Sequence, residues 1–298
     1  MPLTRSDVER LSADHDEPAW LREARLQAWA AFETLPMPDS TRDEDWRRTD
    51  ISKLDLGAFT PSADGAAGPV LNAPADLPKG VIFCTLEESI RRHPDLVREH
   101  LLGLMGTLTP PSSVAAGQGS SGGQDQPANK FDALNAALWT GGAFVYIPPD
   151  VHVQVPLGAA HPGIHASSLF PRTVIVVDRG ASLTFIDRFA GLDQGPNPSP
   201  PSLALSSAST HIFVREGARL QYVSLQERGE QTWHFAHERA IVERDAKVDF
   251  VIAALGGLVS KSYVDTVLIG PGSEANLVGL VLTDGEQHID HQTLQEHR

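Results

Sequence analysis

The chain has 298 residues, with 24 Lys and Arg against 38 Asp and Glu, which gives a formal net charge of −14 at pH 7. This charge argues against nucleic acid or an anionic membrane surface as a partner, because such partners require clustered Lys and Arg. The single cysteine, Cys84, excludes an intrachain disulfide and a metal site built from several thiolates of this chain.

The hydrophobic content of 41% is that of an ordinary soluble protein and is sufficient for a large core. The N-terminus lacks the apolar stretch of a signal peptide. The longest apolar run, residues 251–259, contains two glycines and is too short to span a bilayer. We therefore predict a cytoplasmic protein without a membrane span.

Residues 18–35 have the apolar spacing of an amphipathic helix. The apolar positions are Leu21, Ala24, Ala28, Ala31, Phe32 and Leu35. Proline is tolerated in a first helical turn, so we predict a helix that contains Pro18 there, is capped by Asp16 and ends before Pro36. On this helix we expect Arg25 to face solvent.

A charged segment, residues 42–50, follows this helix. Its large apolar residue, Trp46, is predicted to be a buried anchor. Arg47 and Arg48 could bind an anion, although a solvated ion-pair face is the commoner role of such mixed charge.

Residues 81–83 predict a short strand that is followed by two helices. Cys84 is predicted to be a small buried side chain. Thr85 stands three residues before Glu88, which is the spacing of a helix capping box, and Pro94 would begin the second helix. These elements indicate a small α/β lead-in domain.

Residues 109–129 are rich in Pro, Ser, Gly and Gln and predict a flexible segment. Residues 117–122 match the glycine pattern of dinucleotide-binding proteins, but no strand precedes them and no helix follows, so we reject that interpretation. A short helix is predicted over residues 131–139. After it we predict the boundary between an N-terminal helical and α/β domain, residues 1–142, and a β core, residues 143–298.

Two strands are predicted at the start of the core. Residues 143–147 form an apolar run, and Val151, Val153 and Val155 alternate with polar residues as in a half-buried strand.

One pattern then recurs four times between residues 173 and 278. Each copy consists of an apolar triplet, a polar pair, a small turn residue and a second apolar stretch. The turn positions are Gly180, Gly217, Asp245 and Gly272. Short β-branched stretches bounded by Gly or Asp are typical of strands, and glycine supplies the positive φ angle of a tight turn. A Gly/Pro/Ser-rich insertion at residues 191–202 is predicted to be a loop.

These repeats predict a mainly β chain with a β-helix (solenoid) core. A single copy cannot bury its apolar face, whereas stacked copies share one continuous core. An antiparallel sandwich or barrel of four hairpins is the alternative, since it would also show strands separated by regular turns. The solenoid is favoured because equivalent positions repeat in residue type as well as in polarity.

Histidines cluster at residues 234–237 and at residues 288–297. We predict that His234 and His237 are strand histidines with ordinary hydrogen-bond partners.

In the second cluster, the candidate metal ligands are His288, Asp290, His291 and His297. Imidazole and carboxylate groups are common metal ligands, but they must converge within about 2 Å of the ion. Side chains alternate along a strand, so His288 and Asp290 would share one face while His291 points to the other. The cluster therefore does not form a convincing mononuclear site by itself.

The chain ends at Arg298, after a strand-like stretch at residues 279–282 and the histidine-rich segment. Because a solenoid needs a cap on its exposed end, we expect either a truncated chain or last rungs that a partner covers.

Several stretches resemble the SufB/SufD family of iron–sulfur cluster assembly proteins. Those similar to the SufD branch are Pro18-Ala-Trp-Leu-Arg-x-x-Arg25, Leu35-Pro-Met-Pro38, Glu44-Asp-Trp-Arg-Arg-Thr49, Gly80-Val-Ile-Phe83 continuing to Glu88, and His93-Pro-Asp-Leu96. Those that resemble the family core are Gly142-Ala-Phe-Val-Tyr-Ile-Pro148, Val155-Pro-Leu157 and His288-Ile-Asp-His-Gln-Thr-Leu294. The resemblance extends over most of the chain.

The resemblance implies a right-handed parallel β-helix and a complex of SufB, SufD and the ATPase SufC that builds clusters for apo-proteins. This chain would be a non-catalytic, SufD-like scaffold subunit that pairs with a SufB-like homologue and works with a SufC-like ATPase. The iron–sulfur cluster would be transient and shared, which agrees with the lone Cys84, because cluster ligands are mostly thiolates.

The family pattern continues beyond the C-terminus of this sequence. A C-terminal Thr/Ser-His-Gly-Ala-Thr motif carries the histidine implicated in cluster formation, and later helices dock SufC. Both would lie beyond Arg298, so no residue here inherits the cluster-ligand role.

A function of another class stays open. A cupin-like metalloenzyme would use His288, Asp290 and His291 or His297, and its isolated chain would retain the metal tightly. A solenoid that acts on acidic polysaccharide is disfavoured by the negative charge of the chain.

Overall fold

A computed structural model of the chain describes residues 3–60, 68–105, 129–164, 167–191 and 203–298. Two predicted loops, the flexible segment and the Gly/Pro/Ser-rich insertion, lie almost entirely outside these residues, as does the glycine pattern at 117–122. Among the described residues, no helix is both long and apolar enough to cross a membrane.

The described residues form fourteen strands, which all belong to two stacked sheets of six and eight strands. The strands are β1 (Val70–Asn72), β2 (Ile82–Thr85), β3 (Ala143–Ile147), β4 (Leu157–His161), β5 (Ser168–Leu169), β6 (Arg172–Val177), β7 (Ser182–Phe189), β8 (Ala204–Val214), β9 (Arg219–Gln226), β10 (Thr232–Val242), β11 (Lys247–Ala254), β12 (Val259–Leu268), β13 (Glu274–Val281) and β14 (His288–His297).

The chain winds as a β-solenoid of about 5 turns, in which each turn contributes one strand to each sheet. The six-stranded sheet has the order β1-β4-β7-β9-β11-β13. The eight-stranded sheet has the order β14-β12-β10-β8-β6-β3-β2, and its eighth strand, β5, pairs with β8. Pairing between successive turns is parallel, as between β8 and β10 and between β9 and β11. The predicted solenoid is confirmed, and the sandwich or barrel of antiparallel hairpins is wrong.

The predicted turn positions are also confirmed. Gly180, Gly217, Asp245 and Gly272 have φ angles of 66°, 68°, 56° and 75°. Each links the two strands of one repeat. Asp150, with a φ of 59°, occupies the corresponding place between β3 and β4. The solenoid therefore begins one turn earlier than the four repeats indicate.

The second predicted strand of the core is misplaced. In residues 151–155 the ladder is reduced to a single bridge from His152 to Ser182, and Val155 is exposed. The strand itself, β4, begins after Pro156. Proline has no amide hydrogen to donate to a ladder, which accounts for the later start.

The N-terminal region caps the beginning of the solenoid. Strand β1 pairs antiparallel with β4, and β2 pairs antiparallel with β3, so the first edge of each sheet is covered by a strand that runs against it. The edges that remain at this end, β1 and β2, are only three and four residues long, and such short edge strands offer little template for association.

In the part of the chain that the structure describes, five α-helices accompany these strands: α1 (Arg5–Asp14), α2 (Ala19–Thr34), α3 (Leu86–Arg92), α4 (Pro94–Met105) and α5 (Lys130–Leu138). The predicted starts of α3 and α4 are confirmed, and the hydroxyl of Thr85 accepts a hydrogen bond from the Glu88 amide. The cap predicted for α2 is wrong. Pro18 occupies the cap position without a side-chain hydrogen bond, and Asp16 lies in a left-handed turn with φ of 47°.

Arg25 on α2 is buried, which contradicts the expectation that it faces solvent. Its side chain is 1% exposed and pairs with Glu17 at 2.7 Å. The same guanidinium donates to the carbonyl oxygens of Ala137 and Trp139, at 3.1 Å each. These acceptors belong to the α5 region, which α2 packs against, and sequence periodicity alone did not indicate them.

The protein has two main apolar cores. The inner core lies between the sheets and includes Val145, Ile175, Phe185 and Val248. The outer core lies between the eight-stranded sheet and the helices, and it contains residues of both, such as Leu134 of α5 and Phe235 of β10. The domain boundary at residue 142 stays a prediction.

Candidate functional site

The histidine-rich segment forms strand β14, the end strand of the eight-stranded sheet in the described part of the chain. Its parallel register with β12 places Asp290 beside Lys261 and His291 beside Ser262. The predicted alternation is confirmed. His288 and Asp290 contact Thr49 on the outer face, whereas His291 lies near Gly279 of the opposite sheet.

A short N-terminal segment, residues 44–50, lies across the outer face of β14, and we call it the strap. Thr49 is fully buried and donates a hydrogen bond of 2.6 Å to Asp290. The side chain of Gln292 donates one of the same length to Asp45. These contacts join residues that are about 240 positions apart, as the separation of 241 between Thr49 and Asp290 illustrates.

Trp46 anchors the strap, as predicted. Its ring packs against Phe131, Phe235 and Tyr263 at centroid distances of 5.7, 5.9 and 6.3 Å. The ammonium of Lys261 lies 5.2 Å from the centre of the Trp46 ring, within the range of a cation–π contact.

Asp290 is a satisfied counter-ion in this structure. Lys261 donates to the same carboxylate oxygen as Thr49, at 2.6 Å. Burial alone would raise the pKa of Asp290, but the hydrogen bonds from Lys261 and Thr49 outweigh it and hold the pKa below its ordinary value. The chemistry of this group is therefore that of a structural ion pair.

The four metal candidates do not converge on one point. The ring of His288 is turned towards Thr49, with its Nε2 atom 3.3 Å from the hydroxyl, while His291 points to the other face. His297 lies at the far end of β14, paired with Leu268. Among the described residues, no three His, Cys, Asp or Glu side chains are arranged to hold a metal ion. Metal binding by this cluster stays a prediction.

A polar groove of about 370 Å³ lies where the strap meets β14. It is lined by Glu44, Asp45, Arg47, Arg48, Asp290, His291, Gln292 and Thr293. Arg47 pairs with Glu44 at 3.4 Å, in the manner of a solvated ion pair. The acidic side chains of the same groove offset the charge that would attract an anion.

The other two predicted histidines have hydrogen-bond partners, as expected. His234 is within 3.1 Å of the Ser206 hydroxyl. His237 lies between two carboxylates, with Nδ1 3.1 Å from Asp132 and Nε2 2.8 Å from Asp265. Because the two carboxylates contact different ring nitrogens, they cannot share one metal ion with this ring.

His237 is a half-buried imidazolium that ties helix α5 to the sheet. Burial alone would lower the pKa of His237, but Asp132 and Asp265 outweigh it and raise the pKa to about 10. Asp132 belongs to α5 and Asp265 to β12, so one imidazolium joins the helix to two strands.

A polar network inside the solenoid was missed by the sequence analysis. His161 contacts Asp187 at 2.8 Å, and the hydroxyl of Tyr222 donates to Asp187 at 3.1 Å. Thr210 donates to the same carboxylate at 3.3 Å. Burial, followed by the charges of Asp187 and Glu238, raises the pKa of Tyr222 well above its ordinary value.

Glu238 lies in the same interior and is only partly satisfied. Ser224 donates to one carboxylate oxygen at 3.3 Å, and the other oxygen is buried without a partner among the described residues. Burial raises the pKa of Glu238 to about 7. A carboxyl group with a pKa near 7 changes its protonation state around neutral pH.

Sequence spacing could not have revealed this network. His161 and Asp187 are 26 residues apart, and Tyr222 is 35 residues from Asp187. The available signal was that Asp187, Ser224 and Glu238 stand at the next inward position beyond the predicted apolar stretches, where another apolar residue would continue the strand.

Cys84, in β2, is buried as predicted. Burial, with the nearby charge of Glu88, raises the pKa of its thiol to about 11. The side chain therefore stays protonated at neutral pH, unlike a reactive or metal-binding thiolate.

The described geometry defines a two-sheet β-solenoid with a capped N-terminal edge and a histidine-rich last strand. Residues 160–298 match the family model described as SUF system FeS cluster assembly, SufBD core domain. This chain thus contains a SufBD core domain and is homologous to the SufB/SufBD iron–sulfur cluster assembly proteins.

The chain is also similar in sequence to curated iron–sulfur cluster assembly proteins. The iron–sulfur cluster assembly protein SufB of Bacillus subtilis is 25% identical over 324 residues, which are 97% of this chain and 64% of the relative. A SufBD family protein of Staphylococcus epidermidis is 25% identical over 331 residues with the same coverage, and one of Staphylococcus aureus is 23% identical. The chain spans about 64% of the length of the curated relatives it matches.

Proposed function

We propose that this chain is a non-catalytic, SufD-like scaffold subunit of the cytoplasmic SUF system. It pairs with a SufB-like homologue, works with a SufC-like ATPase, and handles an iron–sulfur cluster as transient cargo. The observation that supports this proposal most strongly is the match of the solenoid, from residue 160 onwards, to the SufBD core domain.

The thiol content of the chain supports a shared cluster. Protein-bound clusters are held mainly by several cysteine thiolates. The sequence has one cysteine, and Cys84 is buried with a raised pKa. Most ligands of a cluster assembled at this protein would therefore come from a partner.

The SufD-like assignment rests on the N-terminal stretches that resemble the SufD branch. One of them, Glu44-Asp-Trp-Arg-Arg-Thr49, supplies most of the strap, and Trp46 and Thr49 within it are buried. The named relatives include SufB of Bacillus subtilis, so the assignment to the SufD side needs a direct test.

Co-purification is that test. The tagged chain is co-expressed with the SufB-like and SufC-like proteins of the same source, and the eluate is analysed for subunits, iron and sulfide. We expect a complex that contains all three chains, with iron and sulfide in the complex and neither in the isolated chain.

Two outcomes would overturn the proposal. If the chain purifies without either partner, it is not a subunit of that complex. If the isolated chain retains about one metal ion per molecule and loses it on substitution of His288 or His291, the metalloenzyme alternative replaces the scaffold.

A further inference from the structure

We propose that the strap and strand β14 form a latch, a single cooperative unit in which order in one depends on order in the other. The proposal does not depend on the SUF assignment, because it rests on contacts within this chain.

The first observation is that the two elements share buried polar groups. Thr49 of the strap and Lys261 of β12 both donate to one oxygen of Asp290, each at 2.6 Å. Thr49 and Lys261 are almost fully buried. Loss of the strap would remove one of the two donors to this carboxylate and open the Lys261–Asp290 pair to water, which weakens an ion pair.

The second observation is that Lys261 also contacts the aromatic residue that anchors the strap. Its ammonium lies over the rings of Trp46 and Tyr263, at 5.2 and 5.0 Å from their centroids. The ammonium of Lys261, which neutralises Asp290 of β14, is therefore covered by the ring of Trp46. Removal of either Trp46 or Asp290 would deprive the Lys261 ammonium of one of its three partners, which are Trp46, Tyr263 and Asp290.

The third observation is that β14 has little other support. Within the described residues it pairs with β12, and its side chains are half-buried or exposed, whereas the preceding strands of the same sheet, such as β10 and β12, are mostly buried on both faces. Elements with few buried contacts open at low free energy, so the strap contacts are a large share of what keeps β14 ordered.

The latch implies reciprocal coupling between the two ends of the chain. A molecule that binds the strap would stabilise β14, and one that binds β14 would stabilise the strap by the same factor.

Hydrogen exchange measured by mass spectrometry on the full chain tests the latch. Thr49→Val removes the shared hydroxyl and keeps the shape of the side chain. We expect the amides of β14, such as His288, which donates to the Leu258 carbonyl, to lose protection by about tenfold. The strands β8 and β9 should stay within about twofold of the wild type.

Two controls separate coupling from general destabilisation. Thr49→Ser keeps the hydroxyl and should restore the protection of β14. Gln295→Ala shortens an exposed side chain of β14 that alternates away from Asp290 and lies outside the groove. It should leave strap amides unchanged, such as that of Thr49, which donates to the Trp46 carbonyl.

The reverse direction uses Gln292→Ala, a mild change on β14 that removes the contact with Asp45 and should fold normally. We expect it to lower the protection of the strap amides by about threefold. The latch is overturned if Thr49→Val loosens the strap and leaves β14 unchanged, or if either variant lowers protection equally in all strands.

Discussion

The ammonium of Lys261 donates a 2.6 Å hydrogen bond to Asp290, and the Lys261 side chain is only 1% exposed. The bond joins two adjacent strands at the last turn of the solenoid. The carboxylate of Asp290, which the sequence suggests as a metal ligand, is therefore already paired. The same carboxylate neutralises the buried ammonium of Lys261.

Removal of Asp290 should therefore destabilise the protein. Asp290→Ala leaves the Lys261 ammonium buried without its counter-ion, and we expect a loss of about 3 kcal/mol in the free energy of unfolding. Urea unfolding measures this change. The double variant with Lys261→Met should recover most of it, because no charge is then left unpaired, and failure to recover would contradict the ion-pair assignment.

Gly217 offers a clean test of the turn. Its φ is 68°, and a Cβ atom added there would have no described neighbour within 4 Å. Any loss of stability on adding a side chain at this position therefore comes from the backbone conformation and not from a steric clash. We expect Gly217→Val to lower the stability by about 2 kcal/mol, because a β-branched residue is strained at positive φ.

The matched control is Gly217→Asn, since Asn tolerates the left-handed region and Asp245 already occupies the equivalent turn with a φ of 56°. Thermal or urea unfolding should show this variant close to the wild type. A Gly217→Val variant as stable as Gly217→Asn would disprove the turn assignment.

Glu238 should make stability depend on pH near neutrality. Its pKa is raised by burial from 4.5 to about 7, so the neutral form is favoured in the folded state. The stability that this shift contributes is fully present below about pH 4.5 and is lost as the pH rises through about 7. We expect a loss of up to about 3 kcal/mol between pH 5 and pH 8.

Glu238→Gln removes this ionisation and should flatten the profile, measured as urea midpoints from pH 5 to pH 8. Glu216→Gln, at an exposed turn position, is the control and should keep the wild-type profile. Identical profiles for Glu238→Gln and the wild type would show that Glu238 does not titrate in this range.

His237 should stabilise the attachment of α5 over a wide pH range. Its pKa is raised from 6.5 to about 10, so its contribution is fully present below about pH 6.5 and is lost as the pH rises through about 10. At pH 7 we expect His237→Gln to cost about 3 kcal/mol, because Asp132 and Asp265 then lose their shared cation.

Urea unfolding at pH 7 and at pH 10 measures this contribution. The difference between the variant and the wild type should shrink at the higher pH. His152→Gln, which alters an exposed histidine beside Ser182, should have little effect at either pH. An equal difference at both pH values would mean that His237 is not acting as a cation.

The repeats were accessible to sequence analysis because their signal is local. Gly180 and Gly217 lie in turns that directly join two strands, and the apolar residues of both strands stand within about ten residues of each glycine. The turn at Asp150 was not recognised as part of the array because Pro148 and Pro149 interrupt the pattern.

The site was less accessible because its contacts are distant in the chain. Thr49 meets Asp290 across 241 positions, and nothing local to either residue indicates the other. The burial of Arg25 could not be predicted, because the apolar periodicity of α2 carries no information about the carbonyl acceptors that the α5 region provides. Trp46 was identified correctly, since a tryptophan in a charged segment is a strong local signal of burial.

The most direct measurement of the central claim is native mass spectrometry of this chain mixed with its SufB-like and SufC-like counterparts. A scaffold subunit predicts a complex that contains this chain paired with the SufB-like chain, together with the SufC-like ATPase. A spectrum that shows only the separate proteins, or this chain only with copies of itself, would contradict the account.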